Sequence, residues 1–194
     1  MDKILVFLAD GFEEVEALTV IDYLRRAGIG VDTVTINDSL DVRAAHDVII
    51  KADKLLGDIN EDEYRGLYVP GGTKGAENLR DDERVIEIVK SFYDDGKTVA
   101  AICAGPIVLD KAGVLADKKC VSFPSIKAEI NHCGAYLDDE LVVVDKNVIT
   151  SRGAGATLYL ALKLVEILEG EEAKEQLKPT IQQDFVEKYF GFKY

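Results

Sequence analysis

Short, continuous apolar runs that stop abruptly at small or turn-forming residues, each followed by a stretch of helical periodicity, constrain this chain more than any other feature. Ile4 to Leu8 is apolar without a break and ends before Asp10-Gly11. A strand with one wet face alternates; an uninterrupted run is what a strand buried on both faces requires. Glu13 to Arg26 reads as a helix, with Val15, Leu18, Ile21 or Val20, and Leu24 at helical spacing and Gly28 as a stop. Val31 to Ile36 alternates as a second strand, and Val48 to Lys51 is a short extended piece, one arm of a hairpin. Leu67-Tyr68-Val69 is a third buried strand, cut off by Pro70-Gly71-Gly72. Glu83 to Tyr93 forms an amphipathic helix with Val85, Ile86, Val89 and Phe92 inward. Thr98 to Ile102 runs as a strand straight into Cys103, and Gly105-Pro106 opens a helix that ends near Gly113. Cys120 to Ser122, Leu141 to Asp145 and Val148 to Thr150 read as further strands, Gly153 and Gly155 as a turn, and Thr157 to Leu168 as an apolar helix closed by Gly170.

Strands alternating with helices imply an α/β fold, a mostly parallel sheet covered on both faces. The length of 194 residues and a 47% hydrophobic content allow one domain, placed at residues 1–180. Residues 181–194 read as a C-terminal extension, whose Phe185, Tyr189, Phe190, Phe192 and Tyr194 pack on the domain or on a partner subunit. The net charge of −13 disfavours nucleic acid and anionic membrane as partners, and its even spread reads as a solvated acidic surface. The run from Ile4 to Ala9 is too short for a signal peptide and no stretch is long enough to span a bilayer, so a cytoplasmic location is expected. Cys103, Cys120 and Cys133 are odd in number and widely separated; no disulfide framework is expected, in keeping with a reducing cytosol. With only His46 and His132 available at unsuitable spacings, neither a zinc site nor any cofactor is expected.

In parallel sheets function gathers at the carboxyl ends of the strands. Three loops leave strands at that edge: Asp10 to Glu16, Pro70 to Gly75, and Cys103 to Pro106. In Ala101-Ile102-Cys103-Ala104-Gly105-Pro106 a cysteine sits between strand and helix with small neighbours, the pattern of a nucleophile elbow. A helix N-terminus there favours the thiolate; the plainer reading is a buried structural cysteine. Glu13 and Glu14 are satisfied as solvated first-turn acids, whereas Glu16 can turn toward the sheet edge and share a proton with Cys103. The N–H groups of Gly72 and Ala104 can together cradle an oxyanion, against the alternative of an ordinary turn. Thr150-Ser151-Arg152-Gly153 is taken as structural, with Arg152 pairing with an acid.

Together these segments resemble the ThiJ/PfpI superfamily, nearest to the branch of parkinsonism-associated deglycases and their bacterial relatives. The resemblance runs from Lys3 to about Lys178 and is carried by Ala9 to Glu16, Arg25 to Gly28, Pro70-Gly71-Gly72, Gly75 to Leu79, Ala100 to Pro106, and Thr150 to Gly153. It implies a flavodoxin-like three-layer sandwich of the class I glutamine-amidotransferase kind, a homodimer, and no cofactor. It places the family's reactive cysteine on Cys103, its proton-sharing acid on Glu16, and its oxyanion amides on Gly72 and Ala104. Two positions depart from the family. Phe123, in Ser122-Phe123-Pro124, stands where the deglycase branch has histidine, and Ala104 stands where the protease-like branch has one; His46 can approach the pocket from the segment before Asp47. The implied activity is a glyoxalase- or deglycase-like reaction on a small-molecule aldehyde or glycated protein side chains. A redox sensor or chaperone with an oxidisable Cys103 is the alternative, and a protease or amidase ranks third for want of a histidine.

Overall fold

The computed structural model describes residues 3–194. Seven strands form the central sheet: β1 (Lys3–Leu8), β2 (Gly30–Thr35), β5 (Lys54–Leu55), β6 (Tyr64–Val69), β7 (Thr98–Ile102), β10 (Val142–Asp145) and β11 (Val148–Ser151). Their order is β10-β11-β7-β6-β1-β2-β5, parallel throughout except for β10 at the edge. The remaining strands lie off this sheet. β3 (Asp41–Arg43) and β4 (Ile49–Lys51) make an antiparallel hairpin, and β8 (Lys119–Cys120) pairs parallel with β9 (Ala135–Tyr136).

The uninterrupted apolar run of β1 is explained by helices on both faces. Leu5 and Phe7 enter a core with residues of α2 (Thr73–Arg80), α3 (Glu83–Asp94) and α4 (Pro106–Lys111). Ile4, Val6 and Leu8 enter the opposite core with α1 (Glu14–Arg26), α5 (Thr157–Glu169) and α6 (Glu171–Thr180). Each fully buried side chain of this size contributes about 1.5–3 kcal/mol, so one strand anchors two layers. The expected flavodoxin-like sandwich is what forms.

Several local readings change. In α3 the buried stripe is Val85, Ile88, Val89 and Phe92, with Ile86 only partly covered. The loop expected over Pro70 to Gly75 ends at Gly72, because α2 begins at Thr73. Cys120 and Cys133, expected to remain separate, are joined as a disulfide with Cα atoms 6.5 Å apart. The contact is tertiary: β8 ends at Cys120, and an isolated bridge from Ala116 draws Cys133 back beside it. The cysteine pattern therefore no longer argues for a reducing compartment. Arg152 donates to the carbonyl oxygen of Asp138 rather than pairing with an acid. Among the described residues no helix is long and apolar enough to cross a membrane.

The aromatic tail forms α7 (Gln183–Phe190) and then folds back. Tyr194 meets Tyr159 of α5 edge-on at 4.7 Å between ring centroids, and buried Lys178 donates to the Tyr194 carbonyl while pairing with Glu187 at 3.2 Å. Phe185, Tyr189 and Phe190 stay exposed.

Candidate active site

In α1 the inward stripe is Glu16, Ala17, Val20, Ile21 and Leu24, while Val15 and Leu18 face outward at 51% and 41% exposure. Val15 and Leu18, which mark the helical spacing in the sequence, are therefore not part of the buried stripe. Turning a valine out and a carboxyl in costs several kcal/mol unless the carboxyl is partnered. Glu16 is wholly buried, and its Oε2 accepts a hydrogen bond of 2.8 Å from the Gly71 N–H. The Cys103 sulfur lies beside the same carboxyl, whose Oε1 has no hydrogen-bond partner among the described residues.

Cys103 stands where β7 gives way to α4. Its φ of +61° is left-handed, a conformation costing a non-glycine residue about 1–2 kcal/mol. Three backbone hydrogen bonds hold it: Cys103 N–H to Ser151 O at 2.9 Å, Phe123 N–H to Cys103 O at 2.9 Å, and Gly105 N–H to Ile102 O at 2.8 Å. The backbone N–H groups of Gly72 and Ala104 pull the thiol's pKa down, favouring charge on its sulfur. The paired glycines thus divide their labour: Gly71 serves the carboxylate and Gly72 the sulfur. Gly72 has φ +85°, which lets the chain turn its amide inward. Helix α4 is only six residues long, so these two amides, more than a macrodipole, favour negative charge at the sulfur.

The thiol expected to be acidified is not acidified in the presence of an ionised neighbour. Burial, and then the charge of Glu16, push Cys103 up to about 12 against the pull of the two amides. Burial pushes Glu16 up to about 7, opposed by the neighbouring Cys103 thiol and the Gly71 N–H. The pair therefore carries a single negative charge between about pH 7 and about pH 12. In the fraction of that state in which the proton sits on Glu16, the opposing charge is gone and the sulfur is the reactive thiolate. Reactivity of Cys103 toward iodoacetamide will rise through about pH 7 and then level off, and Glu16→Gln will displace that step; an unchanged profile counts against the shared charge. Stability follows with a definite sign. A carboxyl raised from 4.5 to about 7 favours the fold fully below 4.5 and loses that favour as pH rises through 7, a difference on the order of 3 kcal/mol. Glu16→Gln, which still accepts from Gly71, will therefore melt higher than wild type at pH 8 but not at pH 4.

Around this pair lies a cavity of about 890 Å³. Asp10, Glu13, Arg43, His46, Lys74, Asn78, Phe123 and Ile126 line it together with Glu16, Gly72, Cys103 and Ala104. All three expected loops converge here. Phe123 is 46% exposed on the cavity wall and lies over Gly153. His46 was left without a role by its sequence context. It lies on the cavity rim, with Nδ1 3.0 Å from Glu14 Oε2 and 3.7 Å from Glu13 Oε1. His132 is elsewhere, bonded to the buried carboxylate of Asp110.

The profile of the DJ-1/PfpI family matches residues 2–167. The chain is 39% identical over 173 residues to the protein dj-1beta of Drosophila melanogaster, covering 89% of this chain and 92% of that one. It is 32% identical to a deglycase of Pyrococcus abyssi, covering 86% and 99%. The crystal structure of Drosophila DJ-1beta superposes with a TM-score of 0.89 at 38% identity over 94% of this chain and 98% of that one. An oxidized DJ-1 of Toxoplasma gondii superposes at 0.86 with 35% identity, over 94% and 98%. On this match of profile, sequence and fold, the chain belongs to the DJ-1/PfpI family.

Proposed function

We propose that the chain is a cofactor-independent, cysteine-dependent enzyme of reactive carbonyls, acting on 2-oxoaldehydes such as methylglyoxal and on the related early adducts of protein side chains. The observation that carries this reading is half-buried Cys103 beside buried Glu16 in one cavity, where the Gly72 and Ala104 amides favour charge on the sulfur. The relatives named deglycases support it. The thiolate adds to the aldehyde carbon C1, and the resulting alkoxide takes the proton from Glu16, giving a hemithioacetal and freeing the carboxylate. Glu16 then moves the C1 proton to C2 as a proton passes from the C1 oxygen to the C2 oxygen, giving the thioester, and the Gly72 and Ala104 amides hold the C1 oxyanion of the addition steps. Water attacks the thioester, Glu16 takes a proton from it, the C–S bond breaks to thiolate, and a 2-hydroxy acid leaves. The test is the appearance of lactate from methylglyoxal with the purified chain; its absence rejects the reading.

The same site supports redox sensing as a second reading. Cys103 is the free cysteine among the described residues, and a sulfinate there would accept hydrogen bonds from Gly72, Ala104 and a protonated Glu16. Peptide hydrolysis has less support, since Ala104 and Phe123 flank the sulfur where an imidazole would serve it. A cytosolic homodimer goes with the first reading, and the outward Val15 and Leu18 of α1 support it. Sedimentation will give about twice the 21.3 kDa chain mass; a monomer at micromolar concentration would refute this.

A further inference from the structure

We propose that His46 is the second proton carrier of this site, its Nε2 exchanging protons with the two oxygens of a dicarbonyl substrate while Glu16 moves the carbon-bound proton. The inference rests on the reactive-carbonyl reading. It starts from a need of the chemistry that the Cys103–Glu16 pair does not meet. Carrying the C1 proton to C2 leaves negative charge on the C2 oxygen, which needs a proton, and leaves a proton on the C1 oxygen, which must go. A single carboxyl cannot hold the carbon proton and serve both oxygens at once.

His46 is built for that exchange. Its turn is pinned over the site by Gly11 N–H to Arg43 O at 2.7 Å, Ala45 N–H to Phe12 O at 2.8 Å, and Arg43 N–H to Asp10 Oδ1 at 2.9 Å. Asp47, with φ +64°, then closes the turn. These bonds tie the β3–β4 hairpin to the same β1–α1 loop that delivers Glu16. The Glu14 carboxylate at 3.0 Å holds the Nδ1–H, so Nε2 is the nitrogen that gains and loses the proton. The chain has two histidines, and His132 is committed to Asp110 outside this cavity. The basic side chains on the rim are engaged with acids. Arg43 is paired with Asp47 at 3.2 Å, and Lys74 with Glu77 at 3.7 Å.

The protons balance. In the hemithioacetal, Glu16 takes the C1 proton as cationic His46 gives the Nε2 proton to the C2 oxygen, forming an enediol. Glu16 then gives its proton to C2 as neutral His46 takes the proton from the C1 oxygen, forming the thioester. Both groups end as they began. Cationic His46 is favoured by the Glu14 hydrogen bond first, by the charges of Glu14 and Glu13 from α1, and by Asp47 from its own turn. Its titration lies above the ordinary imidazole value of 6.5, so kcat will decline on the alkaline side of that value.

The experiment is lactate formation from methylglyoxal across pH by wild type, His46→Gln, Glu14→Gln and, as a control, His132→Gln. His46→Gln is expected to lower kcat by about a hundredfold at pH 7 with KM within about threefold. It should also erase the alkaline decline and leave iodoacetamide labelling of Cys103 unchanged. Glu14→Gln keeps the imidazole and should move the decline to lower pH; His132→Gln should do nothing. A kcat within twofold of wild type in His46→Gln, or an unmoved alkaline limb, overturns the inference while leaving the Cys103 reading intact. Loss of rate in EDTA, restored by zinc, overturns it differently: the donor atoms of Glu13, Glu14 and His46 lie within 4.8 Å of one another and would then be a metal site. A wild-type chain that makes no lactate overturns both readings together.

Discussion

Cys103→Ala will abolish lactate formation from methylglyoxal, by at least about a thousandfold in kcat/KM, without unfolding the protein. Removing a covalent nucleophile deletes the intermediate itself, and the residual rate is only what amides and binding supply. The fold should survive because alanine accepts the same left-handed backbone about as well as cysteine, and the Ser151, Phe123 and Ile102 hydrogen bonds at the elbow are made by main-chain atoms. A melting temperature within a few degrees of wild type separates lost chemistry from lost structure. If the variant retains more than a tenth of the activity, the sulfur is not the nucleophile, and the cavity works by Glu16 and water or by another group.

Gly71→Ala is the second large effect, and it reaches the site without replacing either reacting residue. A Cβ on residue 71 would stand 2.6 Å from Cys103 Cβ and 3.1 Å from its sulfur, and would press on Glu16 Oε2 as well. No rotamer relieves a clash at Cβ, so either the Pro70–Gly72 turn shifts or the Cys103–Glu16 pair opens. Overpacking of this kind costs about 1–3 kcal/mol of stability. The catalytic loss should be larger, about a hundredfold or more, because displacement of a reacting group by an ångström is enough for that. Iodoacetamide reactivity should change as well, since the shared proton depends on the contact. Gly57→Ala is the comparison: nothing lies within 4 Å of its Cβ position, so both stability and activity should stay near wild type. Equal behaviour of the two variants would show that the close packing at Gly71 is not what holds the pair together.

Much of this protein was legible along the chain because it rests on local chemistry. A continuous apolar run such as Ile4 to Leu8 has few uses other than a strand covered twice, and repetition of that pattern leads to a parallel sheet with helices on both sides. The elbow was legible for the same reason: a cysteine between a strand and Gly105-Pro106 has to turn sharply, and its φ of +61° is that turn. Gly72 and Ala104 were candidates because small residues free a backbone N–H.

Contacts between distant segments were not legible, since they depend on where the sheet sets each loop. The sequence allowed Glu16 to turn toward the sheet edge, but only the packed fold shows the Gly71 N–H that partners its buried carboxyl and the outward facing of Val15 and Leu18. The division of roles between Gly71 and Gly72, the joining of Cys120 to Cys133, and the docking of the His46 turn over the cavity are likewise tertiary. The electrostatics of the thiol belong to the same class. Sequence reasoning offered a helix terminus that would acidify Cys103, but burial and a carboxylate brought in from another segment outweigh a six-residue helix. Propensity and periodicity act over a few residues; a shared proton needs two side chains at contact distance, and only the folded chain brings them there.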